Sequence, residues 1–307
     1  MTDRAQAPSA VAIWAAMISV YIVWGSTYLA IRFAVQTMPP FLMAACRFLT
    51  AGAIVYIWRR MRGDVAPSRR EWRSAATAGI FLLVGGNGVV VWAEQRVVSG
   101  VAALLVGAAP LWMILVDALR PGGQRPGWES VMGVLIGFAG IALLIGPGLI
   151  SVTAHKIDPV GAMVLMLAAL SWSIGSLYSR TAKLPSSPML GTGMEMLAGG
   201  AGLFVVGTLT GEFGRLHLDG ISTRSLLSLA YLVVFGSWVG FGAYTWLLRT
   251  APISFVSTYA YVNPVVAVAL GHLVAAEPIT PLTLVATAVI VGSVALTKVA
   301  RRDRANS

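Results

Sequence analysis

Long apolar runs, each close to twenty residues and bounded by charge, glycine or proline, recur along this chain and restrict its fold more than any other feature. A helix needs about 20 apolar residues to cross a hydrocarbon core of roughly 30 Å. About ten such runs are present, over 11–34, 40–58, 74–93, 98–119, 129–147, 159–179, 188–210, 224–248, 252–275 and 281–299. The strands of a membrane β-barrel are shorter and alternate apolar with polar residues, which these runs do not. The first run exceeds the apolar part of a signal peptide, roughly 7–15 residues, and no small-residue cleavage site ends it, so it is expected to remain as a helix. Only 11% of the 307 residues are charged, against about 25% in soluble domains. The expected fold class is therefore all-α integral membrane, with ten transmembrane helices.

A net charge of +10 would in a soluble protein suggest an acidic partner such as nucleic acid. Here the cations crowd the short gaps between apolar runs, so no nucleic acid is expected. With the N-terminus in the cytoplasm, about sixteen Lys and Arg fall in cytoplasmic segments and about five outside, the bias that sets membrane orientation. Both termini are thus expected in the cytoplasm. The 59–73 connection and the Arg301-Arg302 tail are expected to set this topology and to touch anionic lipid. The exception is Arg47, which falls inside the second run.

Overlaying the second half on the first aligns Trp24 with Trp172, Pro40 with Pro188, Leu49 with Leu197 and Gly52 with Gly200 at one constant offset. A second constant offset aligns Gly86 with Gly240, Gly88 with Gly242, Trp92 with Trp246 and Pro110 with Pro264. The halves are 11–147 and 159–299. Each holds five runs, an odd number, so the second half enters the membrane from the opposite side and the repeat is inverted. Inverted repeats are the usual architecture of secondary transporters, whose halves rock about a site near the midplane.

Several segments carry a family resemblance: Trp24-Gly25-Ser26-Thr27-Tyr28, Arg47-Phe48, Ala109-Pro110 and Tyr259-Ala260-Tyr261-Val262-Asn263-Pro264. With the duplication, they make the chain similar to the EamA branch of the drug/metabolite transporter superfamily, and in particular to bacterial inner-membrane amino-acid exporters. The resemblance implies a ten-helix carrier of the inner (plasma) membrane that exports aromatic and other amino acids with broad selectivity. Efflux of drugs or other small metabolites by the same route is the alternative.

Arg47 and Glu195 stand at equivalent positions of the two halves. A charge at the centre of a membrane helix costs at least about 2.5–3.5 kcal/mol and usually faces a cavity or another charge. Each lies about seven residues past a proline, hence about 11 Å deep from opposite faces, so their heights differ by only about 8 Å. They are expected to line the cavity as a charge pair, meeting a zwitterion or moving a proton through Glu195, or else to form a structural ion pair. Pro264 should free the carbonyl of Ala260 and break its helix, offering Tyr259, Tyr261 and Asn263 to a substrate; Pro110 reads the same way with fewer polar neighbours. Trp24, Ser26, Trp172 and Asn87 complete the expected substrate contacts. Tyr28 and Tyr178, nearer helix ends, fit an interfacial aromatic belt, and Glu94 and Asp117 fit the interface too. Gly133 and Gly137 form a helix-packing face.

His155, His217 and His272 are scattered, Cys46 is the lone cysteine and no phosphate-binding loop occurs. No metal, cofactor, disulfide, ATP-driven step or enzymatic activity is expected. The partners expected are a small-molecule substrate and membrane lipids.

Overall fold

A computed structural model describes residues 9–120, 123, 127–150 and 158–305, with the backbone alone of 129–130, 144–150, 253–254, 261 and 294–305. Every described regular element is helical. The main rods are α1 (Ala10–Ala34), α2 (Pro40–Met61), α3 (Arg69–Ala93), α4 (Ser99–Leu119), α5 (Trp128–Ile150), α6 (Pro159–Thr181), α7 (Pro188–Leu209), α8 (Thr223–Thr250), α9 (Tyr259–Ala275) and α10 (Pro281–Ala305). A short turn, Ile253–Val256, precedes α9. Seven of the rods (α1–α4 and α6–α8) are long and apolar enough to cross a membrane, and shorter apolar helices cover Val131–Leu143, Val262–Ala275 and Pro281–Ser293.

Local chemistry explains where the rods begin. Proline opens α2, α6, α7 and α10, where its missing N–H is no loss because the first-turn donors have no intrahelical partner. Ser68 and Glu71 form a reciprocal capping box at the start of α3, and Asp158 accepts from the Val160 N–H at the start of α6. Past the end of α2, Gly63 turns with φ +92 and is followed by Asp64; past α7, Gly211 turns with φ +71 and is followed by Glu212. These two acids stand at corresponding places but have different partners. Glu212 accepts from the backbone N–H groups of Phe41 and Leu42 at 3.2 and 2.8 Å, capping α2. Asp64 is drawn to Ser187, the N-cap of α7, and bonding from the Arg59 guanidinium holds its carboxyl below the usual range.

The packing follows a regular scheme. α2 packs most extensively on α7, α5 on α10, and α4 lies along α9. α1 rests on α9 and α8, while α6 rests on α4 and α3; α3 also meets α7, and α8 meets α2. Counting five helices onward converts each contact into another member of the same set. At the upper end, where α1 finishes, the Arg32–Glu277, Arg96–Asp158 and Glu212–Leu42 contacts gather the ends of α1, α3, α7 and α9 with the starts of α2 and α6. The lower end joins the end of α8, through Arg249, to the Pro185 carbonyl just before α7.

The α2–α7 seam is made by glycine. A Cβ on Gly52 would lie 2.9 Å from the Gly193 carbonyl oxygen, and one on Gly200 the same distance from the Leu49 nitrogen. Gly137 likewise fits against Leu111 and Ser293, the packing role expected of it.

Candidate functional site

The site sits where two irregular helices meet two tryptophans. α3 winds as a π-helix over Ile80–Gly88 and α8 over Leu232–Phe241, a rare, wider spiral that is frequent at functional sites. Both stretches are glycine-rich. A Cβ on Gly86 would stand 3.0 Å from the Trp172 ring, and one on Gly240 only 2.5 Å from Trp24 Nε1. Each irregular helix therefore yields its backbone surface to the tryptophan of the other half.

Trp24 and Trp172 meet edge to face at 5.3 Å between ring centroids. Tyr244 lies 4.8 Å from Trp24 and Tyr259 lies 5.5 Å from it. Tyr244 is held by Ser176 at 2.7 Å and accepts from Trp172 Nε1 at 3.1 Å. Below these rings a closed apolar cluster of Met17, Val20, Leu247, Leu248 and Val256 fills the lower end.

Above them is a cavity of about 60 Å³, lined by Trp24, Trp172, Tyr28, Arg47, Asn87 and Tyr259 among others, with Phe48, Val90 and Phe241 supplying part of its apolar wall. That space holds a few waters. A larger ligand requires it to widen.

Arg47 is the one cation among the described lining residues. It is 2% exposed. Its Nε donates to Ser237 at 2.9 Å, Nη1 reaches Asn87 Oδ1 at 3.5 Å, and the guanidinium carbon lies 4.5 Å from the Phe48 ring centre. Among the described residues no carboxylate pairs with it.

The expected Arg47–Glu195 pair is therefore absent, and its depth argument failed for a packing reason. α2 and α7 approach backbone to backbone on glycine, so no room remains between them for two long side chains. Arg47 leaves the seam toward α8 and α3. Glu195, also buried, leaves toward α6, where Ser179 donates to it at 3.5 Å, and toward Arg249, whose charge acts on it.

Of the other expected contacts, Trp24, Trp172, Asn87 and Tyr259 line the cavity. Ser26 does not; its hydroxyl faces Tyr231 at 2.6 Å and bonds the Val23 carbonyl. Asn263 faces the carbonyls of Tyr21 and Tyr259, so its amide is assigned with the nitrogen toward them, donating at 3.1 and 3.3 Å, and is spent on structure. The Tyr261 side chain lies outside the described residues. α4 is interrupted between Val106 and Ala109, just before Pro110, whereas the break expected at Pro264 is not there: Pro264 lies inside the continuous helix Tyr259–Ala275, and the interruption comes earlier, between Val256 and Tyr259. The interruption in α4 lies against that proline, a Cβ on Gly107 falling 3.1 Å from Pro264 Cγ.

One aromatic assignment changes. Tyr28 lines the cavity instead of an interfacial belt. Phe241 and Tyr244 were not anticipated, although the repeat flags Phe241 as the equivalent of Asn87 at the second offset. Glu94, expected at the interface, is 3% exposed. No three His, Cys, Asp or Glu side chains gather to hold a metal among the described residues.

Comparison with known proteins agrees with this geometry. The model of the EamA-like transporter family matches residues 10–146 and again 159–299. The chain is 37% identical over 286 residues to the uncharacterized inner membrane transporter YedA of Escherichia coli K12, covering 92% of this chain and 90% of that one. It is 26% identical to a WAT1-related chloroplastic protein of Arabidopsis thaliana, over 90% of this chain and 67% of the relative. A solved crystal structure, 23% identical, superposes with a TM-score of 0.68 over 96% of this chain and all of the other, which establishes a shared fold.

Proposed function

Because the chain belongs to the EamA-like transporter family, we propose that it is a secondary carrier exporting carboxylate-bearing small molecules, amino acids foremost, across the inner membrane. The observation that carries the substrate class is Arg47. A buried guanidinium without a carboxylate partner, beside aromatic faces, suits a ligand that brings its own carboxylate and an apolar or aromatic side chain, since Arg pairs with carboxylates through two parallel hydrogen bonds.

Two inverted five-helix halves making ten crossings are the architecture that fits best. The contact scheme that repeats on counting five helices onward supports it, as do the matching glycine turns at Gly63 and Gly211 and the reciprocal fit of Gly86 on Trp172 and Gly240 on Trp24. Alternating access then follows. The lower end is sealed by the Met17–Leu247 cluster, and rocking of the halves about the α2–α7 seam opens that end while closing the upper one. The basic lower end, with Arg59, Arg60, Arg62 and Lys183, belongs in the cytoplasm under the positive-inside rule, which places the upper end outside and both termini within. The inner membrane is the location that the YedA relative's description supports.

The test is counterflow of labelled L-phenylalanine in proteoliposomes holding the purified protein. Saturable exchange against internal unlabelled amino acids supports the reading. No exchange by monodisperse, correctly inserted protein overturns amino acids as cargo, and exchange of uncharged aromatic drugs in its place points to the alternative substrate class.

A further inference from the structure

Glu94 follows the last turn of α3, and neither of its carboxylate oxygens has a hydrogen-bond partner although the residue is buried. The backbone of Arg32 approaches it, but inside α1 that N–H is committed to the helix's own ladder. The charges acting on Glu94 are Glu277 and Arg32. Neither satisfies it. The Arg32 guanidinium is turned to Glu277 at 2.9 Å, and Glu277 also accepts from Ser99 N at 3.1 Å, Ser99 Oγ at 2.8 Å and Gly100 N at 3.2 Å. Of two neighbouring acids, Glu277 has a cation and three donors, which stabilise a carboxylate. Glu94 has lost water and gained nothing, and an ion so placed costs several kcal/mol. It is therefore neutral in this conformation, carrying a proton.

Its place in the bundle gives that proton a use. On one side Glu94, Arg32 and Arg96 line a cleft of about 410 Å³ at the upper end. On the other, Val90, one helical turn below Glu94, and Tyr28 line the central cavity. α1 presents Tyr28 and Arg32, the segment after α9 presents Glu277, and the start of α6 presents Asp158, which pairs with Arg96 at 3.8 Å. The buried cation of α2, Arg47, is held on Ser237, and α4 presents the Ser99 hydroxyl already bonded to Glu277.

We propose that Glu94 is a proton-binding site between the central cavity and the outer face, loaded in this conformation and unloaded when the outer end opens. Opening separates α1 from α3, admits cleft water to the carboxyl and frees Arg32 to move between Glu277 and Glu94; the proton passes to that water and the carboxylate left behind is stabilised by Arg32. The coupling to cargo rests on the carrier reading above, whereas the proton on Glu94 does not.

Infrared difference spectroscopy on the purified protein in lipid vesicles, wild type beside Glu94→Gln and Glu94→Asp, tests the site directly. The expected result is a protonated-carboxyl stretch at neutral pH that is present in the wild type, displaced in Glu94→Asp and lost in Glu94→Gln. Identical wild-type and Glu94→Gln spectra in that region overturn the proposal. Accumulation of labelled L-phenylalanine under an imposed pH gradient tests the unloading. Glu94→Gln should accumulate equally with and without the gradient, and gradient stimulation equal to that of the wild type overturns the role. If the wild-type protein moves no L-phenylalanine at all, the cargo assignment fails, and the carboxyl band still decides Glu94.

Discussion

Replacing Arg47 by glutamine asks whether the cavity recognises a carboxylate. The side chain is 2% exposed, its Nε is fixed on Ser237 at 2.9 Å, and no acid pairs with it among the described residues. Removing it therefore strands no buried carboxylate, and Ser237 and Asn87 remain near a glutamine amide, so the fold should persist. A cargo carboxylate in the same dry pocket loses a charge-assisted partner, which costs about 2–5 kcal/mol when one side of a buried pair is truncated. At about 1.4 kcal/mol per decade, half-saturation for L-phenylalanine should rise by roughly 30- to 4,000-fold. The assay is concentration-dependent counterflow, paired with phenethylamine, the same ring and amine without the carboxylate. Transport of phenethylamine should change less than about threefold. Equal losses for both ligands refute carboxylate recognition and leave Arg47 as a structural tie between α2 and α8.

Further outcomes follow from the packing. Gly240→Ala drives a Cβ to within 2.5 Å of Trp24 Nε1, whereas Gly242→Ala meets nothing within 4 Å; thermal unfolding in detergent should show a loss of about 1–3 kcal/mol for the first and none for the second. Equal melting of the two variants breaks the reciprocal glycine–tryptophan account. Glu212→Ala removes the acceptor for the Phe41 and Leu42 N–H groups and should lower stability by about 1–3 kcal/mol, with Glu212→Gln intermediate; an unchanged melting curve for the alanine variant shows that the cap contributes nothing. Cys46 is exposed on α2 beside buried Arg47, so a lipid-soluble maleimide should label it while a charged, membrane-impermeant one should not, from either side. Labelling by the impermeant reagent places that face of α2 in water.

The sequence by itself determined the material of the fold and several residue pairings within it. Runs of apolar residues and their bounding prolines are local properties, and α2, α6, α7 and α10 indeed begin on Pro40, Pro159, Pro188 and Pro281. The aligned Trp24/Trp172 and Gly86/Gly240 pairs were visible as matches, and four of the expected contacts line the cavity. What a sequence cannot carry is the direction in which a side chain leaves its helix once another helix is pressed against it. Depth arithmetic put Arg47 and Glu195 at similar heights, but the glycine seam between α2 and α7 turned them to different neighbours. Asn263 looked available and was consumed bridging α1 to α9. Glu94 stood at a helix end, where charge meets water in an isolated helix, and only the convergence of α1, α6 and the segment after α9 on that end stripped it of solvent. Solvation of a polar group is set by whichever elements close over it, and tertiary packing alone decides which those are.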